Sequence, residues 1–103
     1  MTALLKRARA LEDKFAHDQE FMFKAQARRN ALIGLWAAAT LRRHDAQAYA
    51  RELTTADIAD PDGVFARLRR DFDAAGVEVL DDEIRCRMTS MLKDVANDMY
   101  EGR

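Results

Sequence analysis

The stretch RRNALIGLWAAA, residues 28–39, decides how this chain folds. Positions 31–39 are all apolar or glycine, in a chain of which 34% of residues are charged. A run of that kind without proline is the buried middle of a helix or of a core strand; its Ala and Leu content and its length select the helix. Gly34 costs such a helix about 1 kcal/mol relative to Ala. The loss makes sense if a second helix backbone crosses close to Gly34. Trp36 is expected to be buried beside that crossing, with Gly34 and Leu35 as further scaffold.

Working outward, 103 residues suffice for one core and not for two, with about 60 to 65% of the unfolded surface buried. Five Met, four Gly and one Pro describe a helical protein. Seventeen Lys or Arg against eighteen Asp or Glu leave a net charge of −1, which argues against wholesale nucleic-acid binding, since the phosphate term needs a basic excess. The charge is uneven. Residues 1–30 carry seven basic against four acidic side chains, whereas residues 61–103 carry seven against ten. The two ends therefore suit different partners. The single Cys86 excludes an internal disulfide and fits a reducing compartment. With no apolar run of membrane-spanning length and no signal-peptide core, the expectation is a cytoplasmic protein without direct membrane insertion.

Residues 1–19 are basic and modestly amphipathic, with Leu4, Ala8, Leu11 and Phe15 along one helical face. An isolated helix of that length is marginal in water, so its order depends on extending the next helix or docking on a partner. From residue 20 to about 43 a buried helix is expected, with Phe21, Met22, Ala25, Leu32, Ile33, Leu35 and Trp36 covering more than half its circumference, and with Arg42 and Arg43 at its C-terminus. Asp45 is a candidate N-cap for a second helix to about residue 56, whose narrower face is Ala46, Tyr49, Ala50 and Leu53. Asp60, Pro61, Asp62 and Gly63 supply a capping acid, a first-turn proline and a turn glycine for a third helix, striped by Val64 or Phe65, Leu68 and Phe72 and ended by Gly76. Asp81, Asp82 and Glu83 cap a fourth, with Ile84, Met88, Met91, Val95 and Met99 on its core face. The fold class is all-α: a four-helix bundle, residues 20–103, with a long first helix preceded by a basic N-terminal arm, residues 1–19.

Patterns that carry chemistry are mostly absent. The four glycines are scattered and form no phosphate loop. The DPDG turn fails as a calcium loop, because setting Gly63 at the sixth position puts Ile58 and Arg69 where carboxylates are required. His17–Asp18 and His44–Asp45 are neighbours on a helix, about 100° apart, and form no proton relay. Cys86 sits between Arg85 and Arg87 with no base or second thiol nearby in sequence. Arg28, Arg29, Arg42 and Arg43 lack interleaved aromatics for base stacking and read as a solvated or salt-bridged face. No catalytic residue, metal site or cofactor is expected.

The segments KFAHDQE (14–20), FKAQARRN (23–30) and LIGLWAA (32–38), followed by AYA (48–50), DPDGVF (60–65) and IRCRM (84–88), take the reading further. Together they resemble the zeta-subunit inhibitors of the alphaproteobacterial F1-ATPase, over essentially the whole chain. The resemblance implies a regulatory inhibitor, not an enzyme, placed peripherally on the membrane-bound ATP synthase. Its N-terminal arm would enter a catalytic interface between the alpha and beta subunits, with gamma as a further contact, and stop rotation in the hydrolytic direction. The partner-binding residues so implied are Leu4, Leu5, Leu11 and Phe15 for an apolar groove, Lys6, Arg7, Arg9 and Lys14 for its acidic rim, and Glu12, His17 and Asp18 beside them. The first eleven residues, MTALLKRARAL, depart from the family pattern in containing no acid. Two alternatives stay open beside this one: a helical bundle that senses nucleotide through weak ATP or ADP binding, and a general adaptor docking through its Met-rich face.

Overall fold

The computed structural model describes residues 2–56 and 62–102, apart from the side chains of 11, 14–16 and 56. These residues form four α-helices and no strand: α1 Ala3–Thr40, α2 Ala46–Ala56, α3 Gly63–Ala75 and α4 Asp81–Tyr100. The all-α reading holds. Asp60 and Pro61, read as cap and first residue of the third helix, lie outside the described residues; α3 begins at Gly63 behind Asp62, whose side chain makes no capping bond.

Helix α1 is 38 residues long and crosses position 19 without a break. Thr2 caps it, its hydroxyl accepting from the Leu5 N–H at 3.3 Å. At the far end the Arg43 N–H donates to the Ala38 carbonyl at 2.9 Å and the Arg42 N–H to the Ala39 carbonyl at 3.1 Å. That pair of bonds is a Schellman stop, and it puts Arg42 at φ 58, in the left-handed region usually given to glycine. Arg42 and Arg43 therefore lie past the helix end instead of in its last turn.

Against the C-terminal half of α1 the other helices assemble. Gly34 faces α2 so closely that a Cβ there would lie 2.8 Å from the Ala50 Cα and 3.0 Å from the Leu53 Cδ1. The close crossing inferred from the sequence is thus real, and its partner is α2. Helix α4 runs antiparallel to α1: the Phe21 ring meets that of Tyr100 at 5.0 Å, tilted by 55°, Arg29 donates to the Met88 carbonyl at 3.4 Å, and the Arg87 guanidinium lies 4.6 Å over Trp36. The core joins Ile33, Ala37 and Ala38 of α1 to Tyr49, Leu53, Leu68, Phe72 and Ile84.

Several expectations about burial need correction. Trp36 and Leu35 are only half-buried; Trp36 meets Phe72 edge-on at 5.5 Å and is roofed by Arg87. Met22 and Leu32 are exposed: α4 meets α1 through Phe21 and Arg29 and leaves both side chains largely in water. Arg29, expected on a solvated or salt-bridged face, is buried, its Nε donating to the equally buried Asn30 at 2.8 Å. The acids opening α4 make no side-chain capping bond; Asp81 accepts from Arg69 at 2.8 Å instead, and Arg69 also donates to the Val79 carbonyl at 2.6 Å.

A polar lock ties α2 to α3. Tyr49 is fully buried, and its hydroxyl donates to Asp71 Oδ2 at 2.7 Å, an oxygen that also accepts from Arg67 Nε at 2.7 Å. Burial and the bond to Asp71 push the Tyr49 hydroxyl well above its usual range. Burial alone would raise the Asp71 carboxyl, but the donors Tyr49 and Arg67 outweigh it and hold Asp71 below its ordinary value.

Two substitutions test this account. Gly34→Ala gains about 1 kcal/mol of helix propensity but forces apart backbone that cannot yield, so overpacking of roughly 1 to 3 kcal/mol wins and the unfolding midpoint in urea falls. A rise would mean that the crossing relaxes freely. Arg42→Gly, in contrast, relieves the left-handed strain and stabilises the chain by roughly 0.5 to 1 kcal/mol in the same measurement.

Candidate functional site

Most of the N-terminal half of α1, residues 3–20, extends beyond the bundle floor made by Tyr100 and Phe21. Its helical state follows from continuity. Nucleating a helix is the costly step, and the packed half of α1 provides the nucleus, so each further turn toward residue 3 costs only propagation through helix-favouring Ala, Leu, Lys and Arg.

Every residue of 2–10 is exposed, with Leu4 at 75% and Leu5 at 54%. Lys6, Arg7, Arg9, Glu12, His17 and Asp18 are likewise exposed. The side chains of Leu11, Lys14 and Phe15, read as contacts, lie outside the described residues. At about 100° per residue, Arg7 and Arg9 fall on opposite flanks of the side that Leu4 and Leu5 mark. An apolar strip edged by cations is the result.

Met22 and Phe23 join this strip as surface residues, although by sequence Met22 reads as core and Phe23 has no assigned role. They are 41% and 66% exposed. The signal was available in the spacing, since Met22 and Phe23 follow Leu4 and Leu5 by eighteen residues, about five whole helical turns. The same side of α1, continued to Ile33 and Ala37, is the one the bundle buries completely. The core face of α1 thus runs on past the core. Glu20 on this half pairs with Lys24 at 3.0 Å, and that bond holds its carboxyl below the usual range.

Elsewhere the described residues offer little chemistry. No group of three His, Cys, Asp or Glu among them is placed to hold a metal ion. Cys86 is exposed, while Arg85 lies 3.9 Å over the Phe65 ring and Arg87 over Trp36, so both flanking cations are engaged with aromatics. Met88 and Met91 pack against the core, which removes them from any open docking face. A cleft between α3 and α4 is lined by Asp73, Glu78, Asp81 and Asp82, and its one cation, Arg69, is already bonded to Asp73 and Asp81. No helix among the described residues is long and apolar enough to cross a membrane.

Among known proteins, a family model described as ATPase inhibitor subunit zeta matches residues 1–98. No curated protein matches the chain.

Because Leu4 and Leu5 lie largely in water, replacing both with Ser changes the unfolding free energy by less than about 0.5 kcal/mol per site, measured by urea titration in dilute solution. A loss of several times that size would show that the bundle covers them.

Proposed function

The chain belongs to the ATPase inhibitor subunit zeta family, and from that premise we propose that the N-terminal half of α1 is its inhibitory element. It enters a catalytic interface between the alpha and beta subunits of F1, reaches toward gamma, and blocks rotation in the hydrolytic direction. The chain is a regulator in this reading and performs no catalysis of its own. One observation carries it: a helix half with Leu4 and Leu5 in water and cations on both flanks is held out from a bundle that leaves it uncovered.

The energetics favour a wedge. Burying Leu4 and Leu5 in a groove removes apolar area from water, worth roughly 1.5 to 3 kcal/mol for each fully buried side chain. Lys6, Arg7 and Arg9 then meet acidic groups on the groove rim, which speeds encounter more than it tightens the complex. Leu11, Lys14 and Phe15 are proposed as further contacts, with Glu12, His17 and Asp18 at the edge. Since α1 is continuous, a load on its tip is transmitted to a bundle anchored at Gly34 and Ala50, and the arm resists as a strut.

A nucleotide-sensing role finds less support. The N-terminus of α4 would be the natural phosphate cradle, yet Asp81, Asp82 and Glu83 occupy its first turn and repel an anion.

Deleting residues 1–17 tests the proposal. The shortened chain should keep the helical signal of its bundle and most of its melting temperature, while inhibition of ATP hydrolysis by F1 lacking its own inhibitor disappears. A peptide of residues 1–19 should inhibit weakly, having lost the added contacts and positioning that the bundle supplies. Equal inhibition by truncated and full-length protein would move the activity to the bundle.

A further inference from the structure

We propose that the exposed strip of α1 is also a self-association surface, on which a second copy of this chain docks its own α1 in antiparallel orientation. Leu4 and Leu5 form one apolar end of the strip and Met22 and Phe23 the other, about 27 Å apart along the same side of the helix. A strip with two matching ends is complementary to itself when reversed. A two-fold axis near residue 13 sets Leu4 level with Met22 of a second copy, and Leu5 close to its Phe23.

Charge gives the same answer independently. Residues 1–11 carry Lys6, Arg7 and Arg9 with no acid, whereas residues 12–20 carry Glu12, Asp13, Asp18 and Glu20 against Lys14 alone. In the reversed pairing the same flanks of the two helices meet. Arg7 then lies beside Asp18 of the second copy, and Arg9 comes within one turn of its Glu20. The Glu20–Lys24 pair is open to solvent, with side chains 62% and 57% exposed, and Lys24 engages only Oε1, leaving the other carboxylate oxygen to accept.

The position of the bundle selects this orientation. It sits on the strip side of α1, as the burial of Ile33 and Ala37 shows, so a parallel pair would drive the two bundles into each other. An antiparallel pair places them at opposite ends, with each helix tip level with Phe23 and Lys24 of the other copy. Glu12 of the two copies comes closest at the axis, a like-charge contact that keeps the dimer weak and dissociable. The dimer does not depend on the F1 reading. Only its consequence does: the face assigned to F1 would be covered, so free inhibitor would be self-masked at high concentration.

Sedimentation of the full chain across a wide concentration range tests the inference. The wild type should pass reversibly from monomer to a species of twice the mass, and high salt should favour the monomer. Arg7→Glu with Arg9→Glu should abolish the dimer, as should Asp18→Arg with Glu20→Arg, with helical circular dichroism retained in both. An equal mixture of the two variants restores both charge pairs and should form a heterodimer. Glu12→Gln should tighten the wild-type dimer several-fold. A chain that stays monomeric throughout, a dimer indifferent to both reversals, or variants that fail to pair when mixed would each overturn the proposal.

Discussion

The approach of α2 to α1 at Gly34 is the constraint on which the rest of the bundle depends. With the Ala50 Cα sitting where a Cβ would have to go, the two backbones are fixed in distance and in register along α1. Leu53 and Tyr49 then fall onto the same surface of α1 as Ala37 and Ala38, small side chains that allow the contact to continue. Ala37 and Ala38 after Trp36 are a means of close approach, because a larger residue at either would lift α2 off, whereas Ala39 is exposed.

Once α2 is seated, its outer edge determines where α3 can go. The Tyr49 ring lies between the Arg43 guanidinium at 4.4 Å and that of Arg67 at 5.2 Å, with its hydroxyl fixed on Asp71. Arg67 reaches across to Glu52 of α2 as well as to Asp71 of its own helix. Such a network satisfies a buried hydroxyl and orients a helix, and its contribution lies in specifying one arrangement more than in raw stability. Arg43 is held in place by a two-pronged bond to Asp45, whose carboxyl is drawn down to about 2 by that guanidinium. The turn between α1 and α2 is thereby closed on the same tyrosine.

The extended shape, 63 Å along its longest axis against 27 and 24 Å across, follows from the mismatch between a long helix and three shorter ones. What α2 and α4 leave uncovered on α1 is a continuation of the surface they do cover. A partner that takes this strip takes up the place of a bundle helix, whether the partner is a groove in F1 or another α1.

By itself the sequence determined what depends on local periodicity and on residue chemistry. Helix class, the stripes of α2, α3 and α4, the stop at Gly76 with φ 69, and the need for a close crossing at Gly34 were all legible, since each is written within a few turns of chain. The family was legible too, through its motifs. Tertiary structure decided which apolar residues are covered. Met22, Phe23 and Leu32 look like core by composition, and they remain in water because α4, which reaches as far as Phe21, meets α1 on other side chains and leaves these uncovered. Arg29 looks like surface and is buried, because its guanidinium finds Asn30 and the Met88 carbonyl, a partner 59 positions away that no local pattern encodes. Asp81 reads as a helix cap and became the partner of Arg69 for the same reason: a carboxylate binds whichever donor the fold brings nearest. Periodicity states which side of a helix is apolar, and only packing states how much of that side is covered.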